Sequence, residues 1–73
     1  MAHTFEDLVT LEQAAEQARA LLDSPDVDHA EQWQVWREAA ERFQAAVGEH
    51  AEAEGKSRYE VEMAVKKAVR REG

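Results

Sequence analysis

Two interruptions constrain this chain more than any other feature: the turn Asp23-Ser24-Pro25-Asp26, and Gly55 followed by Lys56 and Ser57. Proline cannot continue a helix and pushes the residue before it out of the α region, while glycine is the usual residue just past a helix C-terminus. The segments on either side carry apolar residues at helical spacing. The chain contains fourteen Ala, three Gly and one Pro, so intrinsic propensity favours helix almost throughout and no sheet is expected. The predicted fold is all-α: a compact antiparallel three-helix bundle with a short N-terminal arm, forming a single domain over residues 1–73.

Each helix is placed by its cap and its stripe. Thr10 and Gln13 have capping-box spacing, and Val9 is positioned to staple onto Ala14, which predicts a first helix over 10–22. Stepping 100° per residue puts Leu11, Ala14, Ala15, Ala18, Leu21 and Leu22 in one arc, with Glu12, Glu16 and Ala20 outside it. Phe5 is out of phase with that arc, so residues 1–9 read as a separate arm. A second helix is predicted over 28–54, starting at Asp28, which with Glu31 repeats the capping spacing; a start at Ser24 with Pro25 as first helical residue is the alternative. Its stripe holds Trp33, Trp36, Ala40, Phe43, Val47 and His50, widened by Val35, Ala39 and Ala46. Ser57 and Glu60 form the clearest capping box and open a third helix over 58–71. Its apolar face is Val61, Ala64, Val65, Ala68 and Val69, with Arg58–Glu62 and Glu62–Lys66 as i,i+4 ion pairs beside it.

Length and composition bound the class. A 73-residue chain buries only about 60% of its unfolded surface, so its stability is thin. With 44% apolar residues it is nevertheless too hydrophobic for a disordered acidic tail, despite a net charge of −7. There is no cysteine, which excludes disulfides, thiolate metal sites and cysteine nucleophiles. No apolar run reaches the ~18 residues of a membrane span, and the first 30 residues lack a basic segment followed by an apolar stretch and a cleavage site. A cytoplasmic location is the expectation. The lack of Ile and Asn, with only three Lys beside six Arg, points to a GC-rich gene of bacterial, plasmid or phage origin.

Charge divides the chain unevenly: residues 1–54 carry thirteen acids and three bases, residues 55–73 three acids and six bases. On the outer side of the third helix Tyr59, Met63, Lys66, Lys67 and Arg70 fall within a ~100° arc. Such a strip suits an acidic protein partner with Tyr59 and Met63 as anchors, or nucleic-acid phosphates with Tyr59 stacking and Lys66, Lys67, Arg70 and Arg71 as cations. It is equally what a solvated helix C-terminus looks like. Trp33 sits at the edge of its arc and is the aromatic expected to stay partly exposed or to meet a second subunit, and a homodimer would relieve the shortage of core. The acidic side, with Glu12, Glu16, Glu38, Glu41, Glu49 and Glu52, offers a third reading as a mimic of a phosphate backbone.

Chemistry has little to work with. His50 and Glu54 form a His–carboxylate pair at one-turn spacing, too few ligands for zinc, and Ser24 and Ser57 stand where turns and caps use them. No glycine-rich phosphate loop is present. Val9-Thr10-Leu11-Glu12-Gln13-Ala14-Ala15 resembles the opening of excisionase-type helix-turn-helix domains, but no glycine follows at the turn and Asp26, Asp28 and Glu31 would meet phosphates with like charge. The sequence therefore predicts no catalytic residues, no metal and no cofactor. It predicts a small helical protein-interaction or regulatory module, with accessory nucleic-acid binding as the alternative.

Overall fold

Thr4, rather than Thr10, starts the first helix. In the computed structural model, which describes residues 3–72, α1 runs Phe5–Ala20 and is followed by a 3-10 turn at Leu21–Asp23. The Thr4 hydroxyl accepts from the Asp7 amide at 3.1 Å while the Asp7 carboxylate accepts from the Thr4 amide at 3.1 Å, a reciprocal capping box. The sequence holds two such frames six residues apart, and the earlier one wins because it carries Leu8 into the core, where it is fully buried. Most of the expected arm is thus helix. Phe5 keeps its phase problem and stays exposed, Thr10 becomes an exposed mid-helix residue, and Val9 packs against the core rather than stapling Ala14, which is exposed.

The other two helices follow their caps. α2 spans His29–Glu54; the Asp28 carboxylate accepts from the amides of Ala30 and Glu31, and Gly55 closes the helix at φ 66°, a left-handed conformation that costs glycine nothing. α3 spans Arg58–Glu72, with the Ser57 hydroxyl accepting from the Glu60 amide at 3.1 Å. All three helices pack against one another, and among the described residues there is no strand and no helix long and apolar enough to cross a membrane.

Direction is set by ties at both ends of the α1–α2 pair. His50 Nδ1 donates to the His3 carbonyl at 2.7 Å, joining the start of α1 to the end of α2; at the other end Gln32 Nε2 donates to the Ala18 carbonyl at 2.7 Å, and His29 Nε2 donates to the Leu22 carbonyl. The two helices are antiparallel. His50 is therefore a structural clamp, taken up by backbone. The core joins Leu8 of α1, Phe43, Ala46, Val47 and Ala51 of α2, and Val61, Val65 and Val69 of α3. Valine at every fourth position of α3 presents a narrow ridge, and the alanines of α2 leave the groove that receives it.

Helix lengths do not match. α2 has 26 residues and α3 has 15, which at 1.5 Å per residue makes α2 about 39 Å long and α3 about 22 Å. α3 folds back from the C-terminal end of α2, so it ends before reaching the first turns of that helix. Trp33, Val35 and Leu21, three apolar side chains of that far end, remain about half exposed, at 47%, 51% and 49%. Val35 and Leu21 belong to the apolar stripes of their helices, but without a third helix beside them they stay half in water.

Candidate functional site

Between α1, α2 and the middle of α3 lies a cleft of about 270 Å³ that runs on toward Trp36. Its apolar floor is Ala15 from α1 and Trp36, Ala40 and Phe43 from α2; Glu12, Glu16, Arg19 and Gln44 edge it, and Lys66 alone comes from α3. The floor follows from the i, i+3/i+4 register of α2, which places residues 36, 40 and 43 on one line facing α1. Trp33 lies one turn beyond. Its ring centroid is 4.9 Å from that of Trp36 with the planes tilted by 43°, within the range of favourable aromatic pairs. The Arg19 guanidinium sits 5.6 Å from the Trp36 ring centroid, in reach of a cation–π contact.

Glu12 is the residue that the helical wheel misplaces. It is 5% exposed, packed at the junction of the three helices, with Lys66 Nζ at 3.5 Å from its carboxylate. Lys66 also reaches Glu62 at 3.8 Å, one turn away on its own helix. Burial pushes the Glu12 carboxyl above its ordinary value; the Lys66 ammonium pulls it back down, and the neighbouring Glu16 carboxylate adds to the rise. An ion pair in such a place contributes less to stability than its Coulomb attraction suggests, since both charges lose water. It does fix how α3 lies against α1. The starting Thr4 frame is the signal for this burial: with the helix phased on Leu8, position 12 lies one turn further along the same face.

The predicted strip on α3 is thereby shortened. Lys66 is turned toward α1 and engaged by two carboxylates, whereas Tyr59, Met63, Lys67 and Arg70 remain exposed, Tyr59 at 71%. Arg58 does not pair with Glu62 as the spacing suggests; its guanidinium donates to the Gln44 backbone carbonyl at 3.2 Å and side-chain oxygen at 2.9 Å, and Gln44 in turn donates to Glu62 at 3.1 Å. This bridge closes the α2–α3 seam just below the cleft. Trp33 and the Tyr59 strip lie on different elements and belong to separate surfaces. Among the described residues no three His, Asp or Glu side chains converge as metal ligands would.

What the cleft offers is a partly aromatic floor with mixed charge at its edge. Its volume suits one large side chain, and falls just short of the ~300 Å³ at which small-molecule pockets begin. No protein-family model matches the chain, and no curated protein or solved structure is significantly similar to it.

Proposed function

We propose that this protein is a docking module that performs no chemistry of its own: the open end of the α1–α2 pair receives an apolar side chain from another polypeptide. The supporting observation is that a half-exposed Trp33 packs, rings tilted, on Trp36, which in turn walls a cleft floored by Trp36, Ala40 and Phe43. Aromatic side chains at a partly desolvated recess are where binding energy concentrates in protein interfaces. Glu16 and Arg19 at the edge supply both signs of charge, so orientation is set by the rim and affinity by the floor. A cytoplasmic setting, where a chain without cysteine forgoes no disulfides, is part of the same proposal. Tyr59, Met63, Lys67 and Arg70 form a second, weaker candidate surface in the same proposal.

A photo-crosslinking amino acid placed at position 33, and separately at position 59, tests the reading in the cells that make the protein. Docking at the cleft gives a discrete adduct from position 33. No adduct from position 33, or the same adducts from both positions, would sink it.

A further inference from the structure

The occupant of this surface is a second copy of the same chain: we infer a two-fold symmetric dimer in which Trp33 of each copy enters the cleft of the other, with the two Trp36 rings near the axis. The inference rests on the docking reading above and names its partner.

Size is the first argument. The accessible surface is 5270 Å², against about 4,600 Å² for a compact monomer of 8.3 kDa, and the radius of gyration is 13.1 Å against about 11 Å. The extents of 43 × 23 × 18 Å show why: the molecule is a rod. That elongation leaves about 700 Å² more surface in water than a compact chain of this mass exposes, surface that a second copy would in part cover.

Charge is the second argument, and it selects the face. Two copies each carrying −7 repel, so a like-with-like contact has to use a patch without net charge. A two-fold interface sets a surface against itself. The Tyr59 strip would then oppose Lys67 and Arg70 to their own duplicates, and the acidic sides of α1 and α2 would oppose carboxylates. At the cleft, Glu12 and Glu16 are balanced by Arg19 and Lys66. Moreover, residues 1–54 contain only three basic residues, Arg19, Arg37 and Arg42, and Arg19 lies over the Trp36 ring. A head-to-tail contact of basic strip on acidic side is also attractive, but it is heterologous and leads to rings or filaments rather than to a two-fold pair.

Shape is the third. Trp33 lies one helical turn from Trp36, which itself walls the cleft, so knob and hole are adjacent on one face. A two-fold axis between them carries each knob into the opposite hole.

Light scattering on a size-exclusion column, at 50 and 500 mM salt and up to about 0.5 mM protein, decides the matter. The expected mass tends to twice 8.3 kDa at both salts and goes no higher. Trp33→Ala removes the knob and Ala40→Trp fills the hole; each should weaken association by roughly 30-fold or more while leaving helical circular dichroism intact, as a lost hot spot does. Lys56→Ala, in the exposed turn between α2 and α3, should change nothing. A wild-type monomer throughout overturns the inference, as does a dimer that survives both Trp33→Ala and Ala40→Trp, one that dissolves at 500 mM salt, or growth beyond two chains. If Trp33→Ala fails to fold, Ala40→Trp alone decides, since it adds a side chain to open space. A monomer that still gives a discrete adduct from position 33 refutes self-pairing and leaves docking to another protein standing; a monomer with none removes both.

Discussion

Toward its C-terminus α2 is packed by both neighbours and buries Phe43, Ala46, Val47 and Ala51, whereas toward its N-terminus the same helix leaves Trp33 and Val35 about half in water. Hydrophobicity does not separate the two ends, since the larger aromatics stand at the exposed one. The difference is the reach of α3. A helix of 15 residues folding back along one of 26 can dry only the near part, and what lies beyond it is available for binding. One end of this rod supplies stability, and the other keeps its aromatic surface partly in water.

Leu8→Ala against Trp33→Ala breaks or keeps that contrast. Leu8 is fully buried among the three helices, so its truncation should cost about 3 kcal/mol, a large share of the ~4 to 11 kcal/mol that a domain of this size possesses. Trp33→Ala, measured below any association threshold, should cost about 1 kcal/mol or less, since it loses one aromatic contact and little burial. Urea unfolding followed at 222 nm gives both numbers. Equal costs would mean that the two ends do not differ.

The two glycines at the packed end should respond with opposite signs. Gly55 turns the chain so that α3 returns along α2; its φ of 66° makes Gly55→Ala unfavourable by about 1 to 2 kcal/mol even though no atom crowds the added methyl. Gly48 is inside α2, where a Cβ meets only the flexible end of Arg58 at 3.8 Å, so Gly48→Ala should stabilise by about 0.5 to 1 kcal/mol. Thermal melts of the two variants should move in opposite directions. Thr4→Ala should cost about 1 kcal/mol by removing the cap of α1, and Thr10→Ala only a few tenths. A larger loss at Thr10 would move the start of the helix back to residue 10 and take Leu8 out of the core.

The smallest effect lies at the border between the two ends. Because Glu12 has its proton affinity raised in the folded state, the native protein holds that proton more tightly than the unfolded chain. Its contribution to stability is therefore fully present below the unfolded carboxyl value and is lost as pH rises through the raised native one. Glu12→Gln does not titrate, so the stability of wild type relative to Glu12→Gln should fall as pH goes from about 4 to 7. A difference that grows with pH would mean that Lys66 outweighs burial.

Much of the fold was legible because helix breaks and caps are local chemistry. Pro25 and Gly55 end helices wherever they stand, and Asp28 and Ser57 have an acidic residue three positions on with an apolar stripe behind it. Where the local signals came in duplicate, they did not decide. Thr4 and Thr10 both open acceptable capping frames, and choosing the second rotated the reading of α1, hid Leu8 in an arm and put Glu12 on the outside. The site suffered from the same limit: Trp33 was legible as an edge aromatic, but the cleft beside it, and the withdrawal of Lys66 from the α3 strip, depend on side chains meeting across helices.

The sequence by itself determined three helices, their stops, their polarity and the uneven charge, all of which depend on residues within a turn or two of one another. Tertiary structure decided which threonine caps α1, which carboxylate is buried, and which end of α2 stays open. Those outcomes depend on how far one helix extends along another, and a length mismatch acquires meaning only once the helices lie side by side.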